Sequence, residues 1–126
     1  MSHILIVEDE DVLADSLQDI LLSEGHTVRI ARNGLDALEL LSQGQTELVL
    51  LDLMLPQVDG VSVLQHLRRT SPDTRVIITT SCSREALRGH AVEAYLRKPF
   101  TLEALLGAVE TALRPKSSRT HTESSV

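Results

Sequence analysis

Acidic side chains follow two apolar runs of this sequence. Glu8 and Asp9 open a run of four acids directly after residues 4–7, and Asp52 follows residues 48–51. Carboxylates at this density suit a hard divalent cation such as Mg²⁺, which keeps several of its waters. A carboxylate beside such a cation, a lysine and a hydroxyl can attack a phosphoryl donor. The sequence therefore predicts a magnesium site at which Asp52 becomes an aspartyl phosphate.

Three further residues complete this chemistry. Lys98 follows the last predicted strand, from which its ammonium could bond an anion held at the same sheet edge. Thr80 and Ser81 follow the fourth strand and offer hydroxyls to phosphoryl oxygens. Each of these residues alone is most often structural, so the prediction depends on their combination.

The elements that must position these residues alternate between strand and helix. Continuous apolar runs are typical of strands covered on both faces, as in a parallel sheet. The predicted strands are residues 4–7, 27–31, 48–53, 76–78 and 94–96. The predicted helices are an apolar stripe of Val12, Leu13, Leu17, Ile20 and Leu21 that stops at Gly25, then residues 35–42, 61–69, 83–89 and 101–113, the last with Thr101 as N-cap. This order predicts an α/β fold, a doubly wound five-stranded parallel sheet whose ligands bind at the carboxyl ends of the strands.

The chain's composition bounds its function. It has 126 residues with 42% hydrophobic side chains, enough for one core, which we place in a single domain over residues 1–114. The polar residues 115–126 are expected to form a disordered tail or the start of a linker. The net charge of -6 and the scattered arginines argue against direct nucleic-acid binding. A single cysteine, with no signal peptide or membrane segment, predicts a cytoplasmic protein that does not contact the membrane.

Five motifs in one order resemble the receiver domain of two-component response regulators. They are Val7-Glu8-Asp9-Glu10, Leu51-Asp52-Leu53-Met54-Leu55-Pro56, Asp59-Gly60, Thr80-Ser81 and Tyr95-Leu96-Arg97-Lys98-Pro99-Phe100. The resemblance covers residues 3–113. It implies the (βα)5 flavodoxin-like fold of CheY-like receivers and a signalling module rather than an enzyme, with only self-phosphorylation and self-dephosphorylation chemistry.

The resemblance also implies a role for each residue of the site. Asp52 would accept a phosphoryl group from a phosphohistidine of a sensor kinase or a phosphotransfer protein. Asp9, Asp52 and the Met54 carbonyl would bind Mg²⁺, Glu8 would bind it through water, and Lys98 would pair with the acyl phosphate.

Other residues would respond to the phosphate. Thr80 would sense it, Tyr95 would be the aromatic switch, and the Lys98–Pro99 bond would be cis. Residues that would tune the lifetime of the phosphate are Met54, Ser81 and Cys82.

One departure from the family pattern concerns the fourth helix. The interval from Thr80 to Lys98 is shorter than usual by roughly four residues, about one helical turn, so this helix should be shortened. The surface through which the family usually contacts its partners is therefore not assigned by the sequence.

Two functions remain as alternatives. The chain could be a phosphorylation-dependent switch for a downstream protein target, as a monomer or a phosphorylation-dependent dimer, or a docking scaffold that needs no phosphate. It could stand alone or be part of a longer regulator. A haloacid dehalogenase-type phosphatase is disfavoured, because Met54 replaces the second acid that such an enzyme needs.

Overall fold

Five parallel strands form one sheet in the computed structural model, which describes residues 2–115. The strands are β1 (His3–Val7), β2 (Thr27–Ala31), β3 (Leu48–Leu51), β4 (Arg75–Thr80) and β5 (Ala94–Arg97). Their order across the sheet is β2-β1-β3-β4-β5, so β1 and β3 are neighbours although a strand and two helices separate them in sequence. The predicted doubly wound fold is confirmed.

Helices cover both faces of this sheet. They are α1 (Asp11–Ser23), α2 (Gly34–Ser42), α3 (Gly60–Thr70) and α4 (Leu102–Ala112). Side chains of Asn33, Asp59 and Thr101 accept a backbone N–H in the first turn of α2, α3 and α4, respectively. Thr101 thus caps the last helix as predicted.

The core consists of two apolar layers. Alternate residues of one strand point to opposite faces. Leu5 and Val7 accordingly pack with α2 and α3, whereas Ile4 and Ile6 pack with α1 and α4. Because both faces of β1, β3 and β4 are buried, these strands read as continuous apolar runs rather than alternating ones.

The predicted apolar stripe of α1 is wrong at Val12. This side chain is 77% exposed, and the buried residues of the helix are Ala14, Leu17 and Leu21. At 3.6 residues per turn, Val12 lies about 200° around the helix from Ala14 and therefore faces solvent.

The connection from β4 to β5 contains a single 3-10 helix, Arg84–Leu87, where a fourth α-helix was expected. It ends at Arg88, whose backbone is left-handed with φ of 51°, followed by Gly89 with φ of 83°. The predicted shortening of this helix is confirmed.

Within residues 2–115, no helix combines the length and the apolar composition that a membrane crossing requires. Apart from Pro115, the tail predicted at residues 115–126 lies outside the described residues.

Candidate functional site

Three carboxylates meet at the carboxyl edge of the sheet. Glu8 and Asp9 follow β1, and Asp52 follows β3. One carboxylate oxygen from each lies within 4.8 Å of the others. Glu8 and Asp52 are buried, whereas Asp9 is exposed. This all-oxygen donor set, open to water at Asp9, fits Mg²⁺.

Lys98 bonds to both buried carboxylates. Its Nζ donates to Oε1 of Glu8 at 2.8 Å and to Oδ2 of Asp52 at 2.9 Å. The backbone N–H of Lys98 donates to the Thr80 carbonyl at 2.8 Å, and the Lys98–Pro99 peptide bond is cis, as predicted. The end of β5 therefore brings an ammonium to the carboxylates of β1 and β3.

The surroundings shift two pKa values. Burial raises the pKa of Glu8 even though the Lys98 ammonium and the Glu10 N–H oppose this effect. Burial alone would lower the pKa of Lys98, but its hydrogen bonds to Glu8 and Asp52 raise it overall. The lysine is therefore held as a cation against two acids.

Asp52 is fixed by the chain that follows it. Its Oδ1 accepts the N–H of Met54 at 3.0 Å, while the Met54 side chain is 61% exposed. Gly60 then begins α3 directly against β3, since a Cβ at Gly60 would lie 2.4 Å from the Asp52 carbonyl oxygen and 2.5 Å from the Leu53 Cα. The Asp59-Gly60 motif thus allows the helix to start beside the Asp52 carboxylate.

Thr80 is fully buried at the end of β4, and its hydroxyl accepts the N–H of Cys82 at 3.4 Å. Ser81 is exposed, and the free thiol of Cys82 is half-buried. Ser81, which follows the predicted sensor Thr80, is therefore open to solvent, and Cys82 is hydrogen-bonded to Thr80.

Tyr95 contacts the same loop. Its hydroxyl donates to the Cys82 carbonyl, and its ring packs against the core beside α2 and α3. The Arg84 guanidinium lies 5.0 Å from the ring centroid, and burial raises the pKa of the phenol. Thr80 thus bonds to the N–H of Cys82 and Tyr95 bonds to its carbonyl. These two bonds link the site to β5.

Every predicted site residue except Tyr95 ends or follows a strand at its carboxyl end, and Tyr95 reaches the loop after β4 through its hydroxyl. Sequence reasoning missed Arg84, because its contact with Tyr95 depends on the single 3-10 turn that replaces the fourth helix. The aromatic and basic residues of this region carry no local spacing that would have revealed the contact.

Comparison with known proteins assigns the chain to one family. The response regulator receiver domain family matches residues 4–110. The chain belongs to this family. Receiver domains are signalling domains of two-component systems that take phosphoryl groups from sensor kinases.

Curated relatives are longer regulators. "Uncharacterized transcriptional regulatory protein YkoG" of Bacillus subtilis (strain 168) is 42% identical over 122 residues, which are 94% of this chain and 54% of that protein. Response regulator MprA of Mycobacterium sp. (strain KMS) is 35% identical over 119 residues, or 91% of this chain and 52% of MprA. The receiver chain spans about half the length of these curated relatives.

Solved receivers superpose closely. TrrA from Thermotoga maritima, in complex with Mg²⁺-BeF, is 32% identical with a TM-score of 0.83, covering 90% of this chain and all of that one (100%). The non-phosphorylated HemR receiver domain from Leptospira biflexa is 26% identical, also with a TM-score of 0.83, over 92% of this chain and 98% of that one. The receiver fold is thus shared along nearly all of the described residues.

Proposed function

We propose that Asp52 accepts a phosphoryl group from a phosphohistidine of a sensor kinase or phosphotransfer protein, and that this changes the affinity of the receiver for a downstream protein. An Asp52 carboxylate oxygen forms the new P–O bond while the P–N bond of the donor breaks. The electron pair of that bond returns to the imidazole nitrogen, which then takes up a proton. The observation that carries this proposal is the Lys98 ammonium, bonded to both Asp52 and Glu8 at a buried strand end.

Glu8, Asp9 and Asp52 are proposed to hold Mg²⁺, with the Met54 carbonyl as a further ligand and Glu8 acting through water. The TrrA receiver was crystallised with Mg²⁺-BeF, and the present carboxylates form a compatible oxygen cluster. When bound, the cation supplies positive charge against the phosphoryl oxygens. Lys98 lies within hydrogen-bonding distance of Asp52, which supports the proposal that it contacts the new phosphate.

Signal output is proposed to pass through the bonds at Cys82. A phosphoryl oxygen on Asp52 that accepts the Thr80 O–H would draw this hydroxyl toward the phosphate and lengthen its 3.4 Å bond from the N–H of Cys82. The Cys82 carbonyl holds Tyr95, so displacement of this loop would alter the position of the tyrosine. Phosphorylation shifts the equilibrium only if the rearranged loop holds the phosphate better.

The exposed apolar side chains favour protein docking at this edge. Four of the five large apolar side chains exposed among residues 2–115 follow the carboxyl ends of strands: Val12, Leu35, Met54 and Leu102. They lie in the loops or first helical turns that surround Asp52. Exposed apolar side chains that gather at one edge suit a protein partner, whereas single ones scattered over a surface need no explanation. This favours a protein phosphoryl donor over a small molecule.

Acetyl phosphate with Mg²⁺ tests the acceptor. We expect the intact mass to rise by one phosphoryl group in the wild type and in the exposed control Asp19→Asn, but not in Asp52→Asn or with a chelator. Native mass before and after labelling decides between a monomer and a phosphorylation-dependent dimer. If a control receiver is labelled and this chain is not, Asp52 is not an acceptor.

A docking scaffold that needs no phosphate is the second candidate, favoured by the single 3-10 turn at Arg84–Leu87 in place of a fourth helix. Such a scaffold would bind its partner equally well as wild type, phosphorylated protein and Asp52→Asn. Affinity that changes on phosphorylation would exclude it. The family match gives the phosphatase alternative no support.

A further inference from the structure

Arg68 of α3 crosses to the segment that precedes β5. Its Nη1 donates to the Thr74 carbonyl at 3.1 Å, and its Nη2 donates to the Ala91 carbonyl at 2.8 Å. The same Nη2 lies 3.6 Å from Oε1 of Glu93. One guanidinium therefore joins the loop before β4 to the loop before β5.

Glu93 continues this contact into the sheet. Its Oε1 accepts the N–H of Val76 at 2.6 Å, and its own N–H donates to the Val76 carbonyl at 2.9 Å. Glu93 therefore bonds through both side chain and backbone to one residue of β4. The position of Glu93 fixes which residue of β5 lies opposite each residue of β4.

The strand that follows depends on this anchor. β5 has four residues, lies at the edge of the sheet and pairs with β4 alone. A single 3-10 turn and the left-handed Arg88 and Gly89 precede it, so no full helix packs the connection in place. In the observed register Tyr95 pairs with Ile78, and Arg97 with Thr80. A slip by one residue would turn Tyr95 away from the core and displace Lys98.

We propose that Arg68 and Glu93 form a clamp that sets the register of β5 in place of a full fourth helix, and so positions Tyr95 and Lys98. Both side chains are positioning residues that act through the strand. The Arg68 side chain is 26% exposed and that of Glu93 is 23% exposed, so their bonds are partly shielded from water. The fork of arginine matters, because two nitrogens donate in different directions at once, which a lysine ammonium on its flexible stem does not reproduce.

Amide hydrogen exchange and tyrosine fluorescence test the clamp. The chain has one tyrosine and no tryptophan, so quenching by acrylamide reports Tyr95 alone. For Arg68→Ala we expect about tenfold faster exchange at Val76 and along β5, and easier quenching of Tyr95, with β1 and β3 unchanged. Arg68→Lys should behave like Arg68→Ala. Glu93→Gln, which keeps an acceptor for Val76 but loses the charge, should show a smaller change in the same direction.

Arg69→Ala is the matched control, since Arg69 is the next residue of α3 and is exposed. Wild-type exchange and quenching in Arg68→Ala would overturn the clamp, as would full retention in Arg68→Lys. Neither measurement needs a phosphoryl donor, so the result is independent of whether Asp52 is an acceptor.

Discussion

Glu8 and Asp52 lie side by side with side-chain exposures of only 1% and 6%, and Lys98 makes this possible. Two buried carboxylates without a cation would repel each other and lose hydration. The ammonium satisfies one oxygen of each acid, and backbone N–H groups of Glu10 and Met54 satisfy the others. The site is therefore charge-balanced enough to fold and still anionic enough to attract Mg²⁺.

Replacing Lys98 by methionine tests this balance. The change leaves two buried acids without their shared cation, which typically costs roughly 3–5 kcal/mol for a fully buried pair. Because the Lys98 side chain is 21% exposed, we expect a loss of about 2 kcal/mol in the free energy of unfolding without metal. Urea unfolding with chelator and with Mg²⁺ measures it. Mg²⁺ should restore more stability to the variant than to the wild type.

Arg97→Met is the control for this experiment, because Arg97 is the exposed last residue of β5 and directly precedes Lys98. An equal loss in both variants would show that the loss reflects the removal of any positive charge at this end of β5. It would assign no special role to the Lys98 bonds.

Glu8 should make stability depend on pH. Its pKa in the folded state lies above the ordinary 4.5, so the folded protein binds the proton more tightly than the unfolded chain does. The associated stability is fully present below 4.5 and is lost as the pH rises through the folded-state pKa. Glu8→Gln should remove this loss. The variant's stability relative to the wild type should then increase from acid to neutral pH.

Urea unfolding in chelator over that pH range provides the measurement, with the exposed Glu10→Gln as control. A difference between Glu8→Gln and wild type that stays constant with pH would contradict the raised pKa of Glu8.

At the scale of elements, the junction between β3 and α3 decides where Asp52 lies. α3 begins so close to β3 that only a glycine fits at position 60. The Asp59 carboxylate caps the helix at the Ser62 N–H with a bond of 2.9 Å. The helix start is therefore fixed from both sides, by a cap and by close backbone contact.

Gly60→Ala should disrupt this junction. The new Cβ would meet backbone atoms of Asp52 and Leu53 at 2.4 and 2.5 Å, so the helix must move away from β3. We expect a lower thermal midpoint and slower labelling by acetyl phosphate. Gly107→Ala in α4 is the matched control, with open space around its Cβ and an expected gain of about 0.5–1 kcal/mol. Equal midpoints in the two variants would refute the close contact.

Elements buried on both faces were predictable from sequence, and those depending on distant partners were not. The apolar runs around Ile6 and Leu50 leave no polar face, so they predict a sheet between helix layers. Val12 was misplaced, because the face of α1 that meets the sheet cannot be fixed from the first turn of the helix alone. Arg68 was missed, since its partners lie in other segments and leave no local pattern. The carboxylate cluster was predictable, because parallel strands end at one edge.

At the scale of the whole molecule, cation binding and folding should be linked. The three carboxylates belong to the ends of two strands and come together only in the folded chain. A ligand that binds the folded state alone stabilises it by about 2.7 kcal/mol at a hundred times its dissociation constant. Thermal unfolding against Mg²⁺ concentration should therefore show a rising midpoint.

Asp9→Asn should weaken this rise, because it removes the most exposed of the three carboxylates. Asp19→Asn, an exposed change on α1 and outside the carboxylate cluster, should not weaken the rise. A midpoint that responds equally to Mg²⁺ in both variants would show that general charge screening, and not the cluster, binds the cation.

The bond between Lys98 and Glu8 joins residues 90 positions apart in the chain. Contacts so distant in sequence form late, because the intervening loop must close first. During synthesis from the N-terminus, all three carboxylates are made well before the lysine that bonds to two of them. A nascent or prematurely ended chain that stops short of β5 therefore carries the acids but not the assembled site. Only a completed domain contains the carboxylates and the lysine in one site.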